Sequence, residues 1–295
     1  MVIIGENIHV LARAVSTAIK ERDAKPIQDL AKAQADSGAD YIDLNVGFLR
    51  KDTEEAMQWV VNTVQQVTDL PLSLDTMNPV AMEAGLKVCK KRPLLNSASG
   101  KTDSKEQVLP LAKKYNCDVV ISVFTDKGMP PEADSKVESI MDTVAYANEL
   151  GIPNEDIWVD PIVLPVSTAG EGQKLAVSNI EFMKVIQDVL PGIKSTVGLS
   201  NVSNGIPTEL RPVLNRTYLM MLARYGLYSA IVDVLDKELM GMCKGEMPNI
   251  VDLIYRIMDG EDIDLSSLSP KEIDYVKTTK VLTGETLYSD AWLES

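Results

Sequence analysis

Two periodicities alternate along this chain. Short apolar and β-branched runs, in which successive side chains change face, occupy residues 2–4, 41–46, 72–75, 94–96, 119–124, 157–160, 196–200 and 230–234. Between them, apolar positions recur every three to four residues over 26–37, 54–67, 79–90, 105–114, 137–150, 180–190 and 212–225. A period of two marks a strand and a period near 3.6 a helix. The punctuation agrees: Asn78 and Pro79 supply a helix cap and a first-turn proline, and Gly38, Gly151 and Gly226 stand where helices end.

Strand and helix in strict alternation build either an open doubly wound sheet or a closed eight-stranded barrel. Eight strands within the first 236 residues, with no GxGxxG after the first of them, predict an α/β fold of the (β/α)8 TIM-barrel type. Residues 237–295 exceed what one closing helix needs, and Ser269-Pro270-Lys271-Glu272 reads as a capping box. The expectation is one domain over 1–295: a barrel to about 236 and a helical extension from 237. The acidic patch of Asp259, Glu261, Asp262 and Asp264 reads as a solvated loop.

Strand parity then separates the two faces of each strand. Ile42, Leu44 and Val46 share the face that packs on helices, so Asp43 and Asn45 point into the barrel. The same reading turns inward Ser73 and Asp75, Asn96, Ser122 and Phe124, Asp160, and Asp233. Barrel interiors are ordinarily filled by branched apolar side chains. A ring of carboxylates and amides at the carboxyl ends of the strands requires donors, because an unpartnered buried carboxylate costs several kcal/mol. Helix capping or an internal structural network is one reading, weakened for Asp75 because Asn78 is the better cap. Oxygen ligation of magnesium is a second. The third is recognition of a neutral heterocycle rich in N–H donors: two aspartates and an asparagine can read an amino-pyrimidinone edge.

Composition removes other chemistries. Twenty-nine basic against 43 acidic residues leave a net charge of −14, which repels phosphate backbones and anionic lipid, so neither nucleic acid nor membrane is expected as a partner. No run approaches the roughly 18 apolar residues of a membrane span, and the first residues do not resemble a signal peptide; a cytoplasmic protein is expected. His9 is the whole imidazole supply, which excludes a multi-histidine metal site. Cys89, Cys117 and Cys243 form no CxxC pair, and Cys89 and Cys117 read as core or boundary thiols.

A series of motifs carries a resemblance. Ile3-Ile4-Gly5-Glu6, Asp43-Leu44-Asn45-Val46-Gly47, Leu74-Asp75-Thr76, Leu95-Asn96-Ser97 and Val159-Asp160-Pro161 are followed by Gly198-Leu199-Ser200-Asn201-Val202-Ser203, Arg211-Pro212 and Asn215-Arg216-Thr217. In this order they resemble the pterin-binding, dihydropteroate-synthase-like barrels, most closely the methyltetrahydrofolate:corrinoid protein methyltransferases, over nearly the whole chain to residue 236 and weakly again at 286–290. Each motif is short; the ordered series with GLSNVS is specific. The opening motif differs from the family's Gly-Glu-x-Ile-Asn, since His9 stands at the last position; it is either structural or part of the site's mouth.

The resemblance implies that Asp75, Asn96 and Asp160 hold the pterin edge and that Asn201 hydrogen-bonds the methyl-bearing nitrogen. Gly198, Ser200 and Arg211 complete that wall, with Glu6, Asp43, Asn45, Ser122, Phe124 and Asp233 around it. Arg211 opens a helix, where a cation opposes the macrodipole by roughly 0.3–1 kcal/mol, so a ligand or carboxylate partner is expected. The implied reaction moves a methyl group between tetrahydrofolate and the cobalt of a corrinoid held by a separate protein, in either direction, with no metal bound by this chain and a homodimer as the assembly. Asn201, Asp75 and Asp160 are the expected catalytic groups, polarising the nitrogen because the sequence supplies no strong acid there. A dihydropteroate-synthase-like condensation and a non-catalytic pterin-binding subunit are the alternatives; the first needs cations for a pyrophosphate, which the motifs do not supply.

Overall fold

The computed structural model describes residues 1–47 and 52–294. Eight parallel strands follow one another around it: β1 (Val2–His9), β2 (Tyr41–Asn45), β3 (Leu72–Asp75), β4 (Leu94–Gly100), β5 (Asp118–Thr125), β6 (Ile157–Asp160), β7 (Lys194–Ser195) and β8 (Ser229–Val232). Their order, β7-β6-β5-β4-β3-β2-β1-β8, is sequential, and the ends approach each other, so the sheet is a nearly closed barrel. Ladders join every consecutive pair from β1 to β7 and β1 to β8. Between β7 and β8 the closure is sparse: an isolated bridge of Gly198 with Ile231, the Ile231 amide on the Val197 carbonyl at 2.8 Å, and two hydroxyl bonds at Ser195 and Ser229.

Helices fill the crossovers: α1 (Arg13–Glu21), α2 (Ala24–Ser37), α3 (Thr53–Val64), α4 (Pro79–Leu86), α5 (Thr102–Tyr115), α6 (Ala133–Glu149), α7 (Gly172–Val189) and α8 (Arg211–Ala223). Asn78 caps α4, its Oδ1 accepting from the amides of Val80 and Ala81, which leaves Asp75 free of that duty. The outward strand faces, among them Ile42, Leu44, Leu74, Val119, Ile121 and Val159, are buried against helix residues such as Ile27, Val60, Met82, Leu109, Ile140 and Phe182. The inward faces form a second apolar layer low in the barrel, where Ile4, Leu94, Val120 and Trp158 meet with Tyr41 and Ile231 packed against them. Two residues further along the same strands the inward positions are Glu6, Asn96, Ser122, Asp160, Asp43 and Asp233. The barrel therefore has an apolar floor and a polar top, because parity repeats every two residues.

Three sequence expectations are corrected. Residues 196–200 are not a strand: after β7 the chain winds into a 3-10 turn over Leu199–Ser203. β1 extends to His9, well beyond 2–4, and α1 lay outside every predicted helix. After β8 the extension comprises α9 (Lys237–Cys243), α10 (Pro248–Met258) and α11 (Pro270–Leu282), with the capping box of Ser269 and Glu272 formed. It is tied to the barrel: Gln173 of α7 donates to the carbonyls of Val281 and Thr286 at 2.7 and 2.8 Å, and the buried Trp292 donates to Thr278. In the acidic patch, Asp259 pairs with Arg224, Glu261 with Arg256, and Asp264 caps a short turn. No helix among the described residues is long and apolar enough to cross a membrane.

Candidate active site

The polar top of the barrel opens into a cavity of about 690 Å³. Eleven of the thirteen residues singled out from sequence line it: Glu6, Asp43, Asn45, Asp75, Asn96, Asp160, Gly198, Ser200, Asn201, Arg211 and Asp233. Ser122 and Phe124 do not. β4 runs on to Gly100 and bulges against β5, so Ser122 spends its hydroxyl on the Ala98 carbonyl, while the Phe124 ring faces the Lys101 ammonium 4.5 Å from its centroid.

The wall formed by β2, β3 and β4 is a bonded lattice. Ser73 donates to Asp43 Oδ1 at 2.6 Å and Asn96 Nδ2 to the same oxygen at 3.3 Å; Asn45 Nδ2 donates to Asp75 Oδ2 at 2.5 Å. The register explains the pairing, since Asp43 lies beside Ser73 and Asn45 beside Asp75. Burial, then the Asp75 charge, holds the Asp43 carboxyl well above the usual carboxylate range. Burial also pushes Asp75 up to about 6, with the Asn45 amide opposing. Asp160, at the end of β6, accepts the Ile162 amide at 2.8 Å and is pushed up to about 6, again chiefly by burial.

The opposite wall comes from β1, the turn after β7, and α8. Ser200 donates to Glu6 Oε2 at 2.9 Å. Burial drives Glu6 up to about 7; the Ser200 bond and the Arg211 charge draw it down, and Asp233 adds to the rise. The structure thus supplies an acid that the sequence reading lacked, a carboxyl that keeps part of its proton at neutral pH. Arg211, the first residue of α8, donates to Ser203 Oγ at 3.1 Å and has Glu6 as the carboxylate that feels its charge. Asn201 follows Ser200 in the 3-10 turn and accepts from Asn204 Nδ2 at 3.1 Å. A Cβ on Gly198 would lie 3.1 Å from Asn201 Nδ2, so the glycine makes room for that amide.

His9 lines the cavity, and burial lowers it, which favours the neutral imidazole. Asn7 and Asn215 also line it and were missed from sequence, although Asn215 opens a motif quoted above and Asn7 directly follows Glu6. Asn7 donates to Asp233 at 2.8 Å. The side-chain oxygens of both asparagines are buried without a hydrogen-bond partner among the described residues, which suits a site awaiting N–H donors. No group of three or more His, Cys, Asp or Glu among the described residues could hold a metal ion.

Chemically, the cavity offers anionic and amide acceptors on one side, and a protonatable carboxyl, the amide of Asn201 and a guanidinium on the other. The family described as pterin binding enzymes matches residues 13–233. Methylcorrinoid:tetrahydrofolate methyltransferase of Eubacterium limosum is 32% identical over 243 residues, spanning 82% of this chain and 88% of that protein. Methionine synthase of Mycobacterium tuberculosis is 25% identical over 264 residues, which are 86% of this chain but 22% of that longer protein. Among solved structures, dihydropteroate synthase from Thermus thermophilus superposes with a TM-score of 0.60 at 19% identity, covering 83% of this chain and 93% of that one. The Xanthomonas albilineans dihydropteroate synthase in complex with 7,8-dihydropteroate gives 0.59 at 16% identity, over 83% and 92%; these likenesses show the fold.

Proposed function

The chain belongs to the family of pterin binding enzymes, and we propose that it is a methyltransferase that moves a methyl group between tetrahydrofolate and the cobalt of a corrinoid carried by a separate protein. The observation that carries this reading is the convergence of Asp75 and Asp160, from the ends of β3 and β6, and Asn96, from within β4, on one cavity with Asn201.

In this reading Asp75 and Asp160 accept the ring and exocyclic N–H groups of the amino-pyrimidinone, and Asn96 orders that edge. Two acceptors on each carboxylate match paired donors. When the methyl leaves the pterin, its nitrogen becomes a secondary amine and requires a proton, since an amide-like anion leaves poorly. Asn201 Nδ2 hydrogen-bonds that nitrogen, an assistance of the kind worth roughly 2.7–4 kcal/mol. Glu6 holds the proton beside Ser200, one residue from Asn201. When tetrahydrofolate is methylated instead, the same groups take the proton away. Arg211 holds the Ser200–Ser203 turn from its far side through Ser203. Bringing both reactants to one opening supplies proximity, which contributes as much as roughly 7–11 kcal/mol.

The corrinoid protein must cover the cavity mouth. Leu11, Met77 and Leu235 stand on the loops after β1, β3 and β8, 91%, 74% and 43% exposed, and provide apolar surface for it there. A homodimer in the cytoplasm goes with the same reading. A pyrophosphate-displacing condensation fits less well, because Arg211 is the one arginine or lysine among the described lining residues and it sits beside Glu6.

The test is a mixture of this protein, tetrahydrofolate and a methylated corrinoid protein, followed by the cobalt absorbance and by the methyltetrahydrofolate formed. Methyl transfer dependent on this chain supports the reading. No transfer in either direction, with no heat when millimolar tetrahydrofolate is titrated into the protein, refutes it.

A further inference from the structure

Behind the cavity wall lies a cation that methyl transfer, as derived above, leaves without a task. Lys136, in the first turns of α6, has no exposed surface, and its Nζ donates to Asn179 Oδ1 at 2.5 Å. Both circumstances disfavour an ammonium: burial strips its hydration, and the amino-terminal end of a helix is already partly positive. Its direct partner is a neutral amide, which accepts a hydrogen bond but returns no charge. Asn179, on α7, passes the contact on, donating Nδ2 to the Ile162 carbonyl at 3.0 Å. Ile162 donates its own amide to Asp160 Oδ1 at 2.8 Å and holds φ at +59°, a conformation that a β-branched residue adopts only where its surroundings impose it. Ammonium, amide, peptide and carboxylate thus form one chain, and Lys136 and Asp160 lie within reach of each other's charge.

We infer that Lys136 is a positioning residue for the methyl transfer, holding segment 160–162 against the cavity through Asn179 and keeping Asp160 an anion able to accept two N–H groups of the pterin. This rests on the reading of Asp160 as part of the pterin site. Burial raises the Asp160 carboxyl, and the Ile162 amide and then the Lys136 charge draw it back. Burial lowers Lys136 to about 8, with Asp160 and Glu132 opposing, so it stays cationic at neutral pH. Without the ammonium, Asp160 keeps its proton to higher pH, and a protonated carboxyl cannot accept from both donors. The other titratable groups facing this chain are Glu132 at the start of α6, toward the ammonium, and Tyr218 of α8, which meets Asn179 and which burial keeps neutral. Asp75 and Asp43 stand on the far wall, where burial and their own partners set them without Lys136.

The test is calorimetric titration with tetrahydrofolate from pH 5.5 to 8.5 on wild type, Lys136→Met and Lys136→Arg. Affinity in the wild type declines as pH falls through about 6. In Lys136→Met the midpoint moves up by about one pH unit, so the Kd is roughly tenfold worse at pH 5.5 and unchanged at pH 8.5; Lys136→Arg restores the wild-type profile. Loss of affinity by one factor at every pH, or no loss, overturns the inference while leaving the folate reading intact. No heat from the wild type overturns the folate reading, and the inference with it. Where circular dichroism finds Lys136→Met unfolded, Asn179→Asp carries the test: its carboxylate neutralises the ammonium, the midpoint rises, and an unshifted midpoint is equally fatal.

Discussion

Asp75→Asn should make the ligand-free protein more stable and its site worse. Asp75 is a carboxyl moved from the usual 3.8 to about 6 by burial, and its charge bears on Asp43 across a shared wall. A carboxyl whose folded-state value exceeds its unfolded one binds its proton more tightly in the folded chain. Its favourable contribution is complete below about 4 and is lost as pH rises through about 6. Above that pH the ionised group opposes folding by about 3 kcal/mol relative to a neutral one. An asparagine keeps the shape and can still accept from Asn45 Nδ2, but must find a partner for its own amide protons. The expected net gain is therefore about 1–3 kcal/mol, a rise in Tm of about 2–6 °C at pH 7.5. Scanning calorimetry from pH 7.5 down to 4 measures it, and the gain should shrink below about 6 and vanish near 4. Tetrahydrofolate affinity at pH 7.5 should meanwhile fall at least tenfold. A lower Tm at pH 7.5, or a gain that persists at pH 4, refutes the reasoning.

Asn201→Ala should slow single-turnover methyl transfer by about 10²–10³ with little change in tetrahydrofolate Kd or Tm; a rate within twofold of wild type removes Asn201 from the mechanism. Gly172→Ala places a Cβ 2.3 and 2.4 Å from the carbonyl oxygens of Val166 and Pro165, which are backbone and cannot turn away. Urea unfolding should register a loss of more than about 2 kcal/mol. Trp292→Ala removes a fully buried indole and its bond to Thr278, and the same assay should give a loss of about 3–5 kcal/mol; a loss below 1 kcal/mol would mean the terminal turn contributes nothing to the fold.

Strand parity makes the barrel and its polar top legible in the sequence, because a period of two places Asp43, Asn45, Asp75 and Asp160 inward whatever the helices do outside. It also turned Ser122 and Phe124 inward, but parity carries no information on the length of the neighbouring strand, and the extension of β4 takes both out of the cavity. The stretch from Thr196 to Ser200 alternates as a strand does; the 3-10 turn wins there because Gly198 and the hydrogen bonds of Ser200, Asn201 and Ser203 tighten the backbone. The second half of β1 was hidden by Glu6 and Asn7, polar residues that serve the site at the expense of the pattern. Lys136 was the least legible: it precedes a predicted amphipathic helix and reads as surface charge, and its burial depends on Asn179, 43 positions away.

The staves of this barrel are not equally fastened. Where β7 and β8 meet, a single bridge and a few stray bonds replace a ladder, and the loop bearing Asn201 springs from that joint. Local opening is cheapest where the fewest backbone bonds must part. On the proposed reading, the amide that follows the nitrogen through its change of bonding is thus mounted on the slackest point of the ring, while Asp75 and Asn96 stand in the unbroken pairing of β2, β3 and β4. Compliance and stiffness are divided, on that reading, between the two ends of the guest.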